Sequence, residues 1–496
     1  MSNSITAAIL YDLVQCVHRP TMDLFGDPTK RDGISPFIRL LWERGSAHEY
    51  QVIGELTIPV LDLSDYAGDV KEQHTREAME RREPLIYSGR IHADDLLGEP
   101  DLLRWEANGY VAGDIKSGSG EEGQDDDATL KKHYGVQLAI YTDILERLGL
   151  CGSRKPFVWD IHKDEISYDL DEPQGKRNPV TIWSLYQKTL TQARLIVSRS
   201  EKTRPAYSAA CKLCHWYSAC LGELESTDDL TLLPDVGRSK RDVMVEQIPT
   251  LTDLAATDVD SLISGEKTVF PGIGSDTLHK LQARATLIKS PDTGPYLTTA
   301  ISLPSAETEL FFDIEVDPMR DFCYLHGFVE RRTGDNSTER YVPFFADSVN
   351  PEEEQHAFSE AWQYIADHQP CVVYYYSKYE RTIWRKLQSR YPNVCSKDDI
   401  EQMFDPNQSV DLYFDVIKKA TEWPTRDHSI KTLAKFLGFT WRDTHPSGAA
   451  SIEWFDRWVR TGDTAVKQRI LDYNEDDCVA TRVVLDRIRD IVLASP

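Results

Sequence analysis

The sequence lacks any uninterrupted apolar run long enough to cross a bilayer, so no helical membrane span is expected. Its first residues, MSNSITAAILYDLVQCVHRP, hold a short apolar patch but neither a basic lead nor a clear cleavage site. A secretory signal is therefore not expected, and the cytosol is the expected compartment. Positive charge is also scarce: 56 Lys and Arg against 81 Asp and Glu leave a formal net charge of −25. That balance excludes a cation-coated protein that binds nucleic acid indiscriminately. It does not exclude an enzyme acting on nucleic acid, because sites for divalent metals must be acidic, and local cations such as Lys131 and Lys132, or Arg238 to Arg241, can still meet phosphates. No G-x4-G-K-[ST] loop is present, so any unwinding would need a partner helicase. There is no solenoid-type repeat.

What is present suits a multidomain α/β protein. At 496 residues with 41% hydrophobic content, the chain exceeds the size at which one core keeps growing. Pattern changes divide it at 1–225, 226–300 and 301–496. The acidic stretch Ser117 to Asp127 (SGSGEEGQDDD) reads as a mobile surface loop, since motifs on both sides of it belong together.

Nine cysteines is an odd count, which suits a secreted disulfide framework poorly. Cys151, Cys323, Cys371, Cys395 and Cys478 stand singly and are expected to be buried thiols. CKLCHWYSAC is different, because it packs Cys211, Cys214 and Cys220 into a C-x2-C-x5-C run. Three thiolates so close would repel without a cation among them, which makes a metal centre the economical reading. Zinc and an iron-sulfur cluster both accept four thiolates, and spacing alone leaves the choice open. Cys16 is the candidate fourth ligand, closing a loop of nearly the whole first domain.

Between these clamps lie His48 in ERGSAHEY, Asp94 in GRIHADDLL, Asp114 and Lys116 in YVAGDIKSG, and Gln137 and Tyr141 in YGVQLAIYTDIL. Residues two apart on a strand share a face, as do residues four apart on a helix, so Asp114 is aimed with Lys116 and Gln137 with Tyr141. Carboxylates and an imidazole to hold Mg2+ or Mn2+, with a cation beside them, are what phosphodiester hydrolysis needs. As a set, Gly45 and His48, Asp94, Asp114-Ile115-Lys116, Gln137 and Tyr141, flanked by the cysteines, resemble the iron-sulfur branch of the RecB-like PD-(D/E)xK nucleases. The resemblance covers roughly residues 1–225. It implies a restriction-endonuclease-like domain, a 4Fe-4S cluster on Cys16, Cys211, Cys214 and Cys220, metal binding by His48, Asp94 and Asp114, and catalytic roles for Lys116, Gln137 and Tyr141. Asp94 is preferred to its neighbour Asp95.

A second constellation lies in the C-terminal region. ELFFDIEVD sets Asp313 and Glu315 on one face of an apolar strand, and DYNEDDCVA sets Tyr473 and Asp477 on one face of a helix. With an acid midway, this is similar to the DEDD exonucleases of the RNase H-like fold. Glu380 in YYYSKYERTIW stands where most such enzymes carry Asp, and Asp411 in SVDLYFDV is a further acid nearby. The region, including SIKTLAKFLGF, resembles the RNase H-like domain fused to RecB-like nucleases in a family of bacterial nucleases. That resemblance implies metal ligation by Asp313, Glu315, Glu380 and Asp477, with Tyr473 orienting water.

Between the two, FPGIGSDTLHKLQARA carries Gly272 and Gly274 in a Gly-x-Gly turn that resembles a helix-hairpin-helix connector, whose backbone N–H groups would meet phosphates. LPDVGRSKRDVMVEQ is a second candidate turn. The expected protein is thus a metal-dependent nuclease, acting exonucleolytically on single strands, on DNA more than RNA, with no membrane partner. Two other readings compete: a degenerate nucleic-acid-binding or processing subunit, and an iron-sulfur redox sensor on a nuclease fold.

Overall fold

The computed structural model describes residues 4–122, 129–175, 179–290 and 293–493. The chain divides into two compact units, Met1–Glu223 and Leu224–Pro496. Among the described residues no helix is long and apolar enough to cross a membrane.

The first unit is built on a six-stranded sheet whose spatial order is Glu165–Ser167, Phe157–Trp159, Gly109–Ile115, Leu102–Glu106, Leu85–Tyr87, Leu61–Asp62. Gly109–Ile115 lies inside the sheet and is buried along its whole length, as its apolar composition requires. It runs antiparallel to Leu102–Glu106 and parallel to Phe157–Trp159. Helix Lys132–Arg147 lies within the core, with Leu138, Ala139, Ile140, Ile144 and Leu145 fully buried. Each large aliphatic side chain so buried contributes about 1.5–3 kcal/mol. Of the expected acidic loop, Glu121–Glu122 pairs in a short ladder with Thr129–Leu130, and residues 123–128 lie outside the described residues.

The second unit holds a five-stranded sheet ordered Asp335–Phe345, Phe322–Arg332, Thr308–Asp317, Cys371–Tyr375, Ser409–Asp411. The first three form an antiparallel meander, and the last two pair parallel to it. Helix Thr464–Asp490 packs on this sheet, burying Tyr473, Asn474, Asp477, Cys478 and Val484.

The segment 226–300, expected as a connector, belongs to the second unit. Arg284 forms a buried ion pair with Glu422 (2.6 Å), and Tyr296–Leu297 pairs with Thr421–Glu422. The stretch ahead of the Gly272 turn forms helix Leu251–Ala256 and a single helical turn, Val259–Leu262, and then a two-stranded ladder, Ile263–Ser264 with Lys267–Thr268. Ile263, Thr268 and Val269 are β-branched, which favours the extended form. Gly272 takes the left-handed conformation (φ +78), and Gly274 begins helix Ser275–Lys289. Within the Arg238–Arg241 tract, Arg241 is fully buried and paired with Asp229 at 2.8 Å, so it is structural and does not meet phosphate. Of the five isolated cysteines, four are buried and Cys151 is half-buried.

Candidate active sites

In the first unit the strand period does aim Asp114 and Lys116 together, with Lys116 Nζ 3.0 Å from Asp114 Oδ2. Gln137 Nε2 donates to Tyr141 Oη (3.2 Å), which donates in turn to the Glu99 carbonyl (3.4 Å). Both line one cleft with Lys116.

Asp94 is not part of this group, which corrects the expectation drawn from the sequence. It occupies the turn between Ile91–Ala93 and Leu96–Gly98 with φ +55, a conformation that Asp tolerates better than most residues. Its carboxylate, 71% exposed, accepts from Arg147 Nη1 at 2.7 Å. Asp95 is likewise engaged, by Arg194 (2.8 Å). The acid beside Asp114 is Asp101. Its N–H donates to Asp114 Oδ1 (3.4 Å), and its Oδ2 accepts from the Ile115 N–H (2.8 Å). Loss of water and the neighbouring Asp114 push the Asp101 carboxyl up to about 8, with Lys116 opposing. Burial acts to lower the Lys116 ammonium, but Asp114 and Asp101 outweigh it and hold it above its ordinary value. Pro100-Asp101 ahead of Asp114-Ile115-Lys116 spells the Pro-Asp and Asp-x-Lys of the motif itself, a signal that the sequence did carry.

His48 stands on helix Pro36–Gly54, and its Nε2 lies 3.1 Å from the Asp160 carbonyl, so that nitrogen is engaged with backbone and not with Asp114. The next residue, Glu49, accepts from Tyr87 Oη (2.8 Å) and adds to the field that raises Asp101. Nothing in the local pattern marked it.

Cys16 terminates helix Ala7–Gln15, Cys211 and Cys214 flank a tight turn, and Cys220 lies on helix Tyr217–Ser226. All four line one cavity with Trp216 and Tyr217. Burial, with Cys214, Cys16 and Cys211 adding, pushes the Cys220 thiol up to about 12. The Trp216 N–H donates to Cys214 Sγ at 3.4 Å. Four thiols converging on one pocket are a donor set that fits a thiolate-ligated metal centre.

In the second unit Asp313, Glu315 and Asp477 each bring a carboxylate oxygen within 4.8 Å of the others, the one such group of metal-binding side chains among the described residues. Burial first, then Asp477, pushes Glu315 up to about 8, and the same causes hold Asp313 well above the carboxylate range. Glu380, in the first turn of helix Tyr379–Arg390, is 4% exposed and lies outside the group of three. Burial, with Asp411 and Asp477 adding, raises it to about 8. One carboxylate oxygen of Glu380 and one of Asp411 are buried without a hydrogen-bond partner among the described residues. Mutually repelling, partly orphaned carboxylates are what a divalent cation neutralises, so this donor set fits Mg2+ or Mn2+.

Several partners of these acids escaped the sequence reading. Lys431, within the SIKTLAKFLGF stretch, donates from Nζ to Tyr473 Oη (2.7 Å) and lies 3.3 Å from Asp477. Trp441 Nε1 donates to Asp477 Oδ1 (2.7 Å). Asn474 Nδ2 donates to Asp313 Oδ2 (2.8 Å), and its Oδ1 accepts from Tyr341 Oη (2.9 Å).

Comparison with known families agrees with this geometry. Residues 38–221 match the model of the PD-(D/E)XK nuclease superfamily, and residues 310–489 match that of the RNase H superfamily. No curated protein compared with the chain matches it. The chain therefore joins a PD-(D/E)XK nuclease superfamily domain to an RNase H superfamily domain.

Proposed function

We propose that the protein is a divalent-metal-dependent exonuclease, acting on single-stranded DNA in preference to RNA. The convergence of Asp313, Glu315 and Asp477 on one point carries this reading. A divalent cation held by these acids supplies charge neutralisation at the scissile phosphate. Around it the chain's own groups have distinct tasks. Asn474 fixes the orientation of Asp313, and Lys431 donates to the Tyr473 oxygen, holding the phenol beside Asp477, where it would orient water. In the first unit Asp101 and Asp114 are the metal-holding pair, His48 contributes through its free face, and the Lys116 ammonium steadies charge on the phosphate. Gln137 and Tyr141 line the cleft through which the strand reaches them. Gly272 and Gly274 present backbone N–H groups to phosphates.

Cys16, Cys211, Cys214 and Cys220 hold a 4Fe-4S cluster whose role is to clamp the ends of the first domain, with a helicase as the partner that would supply unwound strands in the cytoplasm. The shared cavity of the four thiols supports the cluster. End-labelled single- and double-stranded DNA and RNA, digested with Mg2+ or Mn2+, test the activity. Metal-dependent release of mononucleotides from single-stranded DNA is expected, and no metal-dependent cleavage of any of them would refute it. The exclusion of Glu380 from the group of three favours a second reading for the C-terminal domain alone, as a binding platform.

A further inference from the structure

The cleft that leads to Lys116 runs between helix Ala7–Gln15 and helix Lys132–Arg147, and one of its walls is aromatic. Tyr11 and Tyr134 both line it. Their rings are close to parallel (29°) with centroids 6.3 Å apart, and His133 packs edge-on against each, at 4.9 Å and 4.6 Å. All three side chains are partly exposed, so this is not a closed core. Burial, with Lys131 and Lys116 adding, pushes the His133 imidazole down to about 4, so the trio is uncharged at neutral pH. Cations border it: Lys131 Nζ lies 5.1 Å and Lys116 Nζ 5.6 Å from the Tyr134 ring centroid. In a chain of net charge −25, a cleft lined by Tyr11, Tyr134 and Lys116, with Lys131 beside the Tyr134 ring and the Asp12 carboxylate paired to Arg19 (3.2 Å), is suited to a ligand that is both flat and anionic.

We infer that this wall is a nucleobase-stacking subsite, with Tyr11 receiving the face of an unpaired base while Lys116 and Lys131 meet the adjoining phosphates. The inference rests on the nuclease reading of the first domain and adds the residues by which its cleft would hold a single strand. Bases inside a duplex already stack on both neighbours and have no free face to offer, so the subsite takes an unpaired base in preference to one within a duplex. Stacking on an aromatic side chain is also indifferent to sequence, because every base has such a face. Tyr11 is on this account a substrate-binding residue and takes no part in bond cleavage.

The test is photocrosslinking of the full chain to a single-stranded oligonucleotide carrying 5-iodouracil, with Ca2+ in place of Mg2+, followed by mapping of the adduct. The expected adduct falls on Tyr11, His133 or Tyr134; Tyr11→Leu lowers its yield about tenfold, the scale of one lost base stack, and Tyr11→Phe retains most of it. Adducts elsewhere in the first unit only, or equal yield with a fully paired duplex, would overturn the subsite. Cleavage by Lys116→Ala in an Asp313→Ala background separates the two ideas. Lys116-dependent cleavage without the Tyr11 adduct refutes the stacking subsite alone, whereas the adduct with cleavage indifferent to Lys116 supports the subsite and refutes the catalytic reading.

Discussion

Gly327 makes room for Asn474: a Cβ added at Gly327 would stand 1.6 Å from Asn474 Oδ1, closer than any atom tolerates. Gly327 pairs across the ladder with Asp313, whose Oδ2 accepts from the same Asn474 amide. The missing side chain on one strand thus sets the orientation of the Asp313 carboxylate on the next. Gly327→Ala is expected to expel the Asn474 side chain, at a cost of about 1–3 kcal/mol in stability. Cleavage at the second site, read on a Lys116→Ala background, should fall about tenfold or more, because Asp313 loses its fixed hydrogen bond. Unchanged rates with an unchanged melting temperature would show that Asn474 does not hold Asp313.

Asp101 and Asp94 separate cleanly by mutation. On an Asp313→Ala background, Asp101→Asn is expected to lower first-site cleavage by at least about a hundredfold, through loss of a metal-holding carboxylate. Asp94→Asn removes only an exposed pair with Arg147, and surface pairs contribute about 0–1 kcal/mol, so activity should stay near that of the parent. The reverse pattern would restore Asp94 to the site.

Lys431 is expected to act through Tyr473 and Asp477. Lys431→Met should reduce kcat at the second site about ten- to a thousandfold with little change in KM, the scale of one positioned group. Lys431→Arg should recover part of it. A change confined to KM would assign Lys431 to substrate binding instead.

The raised carboxyl of Glu380 has a definite sign in stability. From its ordinary 4.5 up to about 8, the folded chain retains a proton that the unfolded chain has released. Its contribution therefore becomes less favourable as pH rises through that window. In EDTA, Glu380→Gln should gain stability over the parent between about pH 5 and pH 8, since the amide never charges. Adding Mn2+ should narrow the difference at the upper pH, because the metal stabilises the ionised parent. A melting-temperature difference that is flat with pH would contradict the assignment.

If the proposed cluster is held, Cys16→Ser should lower bound iron and melting temperature together, since Cys16 would be the donor that ties the N-terminal helix to the 211–220 turn. Iron analysis of anaerobically purified protein, with differential scanning fluorimetry, checks both. Stoichiometric zinc without iron in the parent would replace the cluster by a zinc site.

Local periodicity in the sequence determined which side chains share a face: Asp114 with Lys116 on a strand, and Gln137 with Tyr141 on a helix, are adjacent as their spacing requires. The same holds for Asp313 with Glu315 and for Tyr473 with Asp477, because two-residue and four-residue periods are properties of the backbone alone. The Pro100-Asp101 pair in the sequence already marked Asp101, but only the tertiary structure set its backbone and carboxylate against Asp114 and Ile115. Asp94 precedes strand Leu96–Gly98 and Asp101 precedes strand Leu102–Glu106, and it is the pairing of the latter with Gly109–Ile115 that sets Asp101 beside Asp114. Strand pairing also brought Gly327 opposite Asp313, and helix packing brought Lys431 and Asn474 to the acids they serve. The Lys431 and Asn474 contacts join residues 42 to 161 positions apart, and no local pattern encodes them, since they arise when separately formed elements bury their apolar faces against one another.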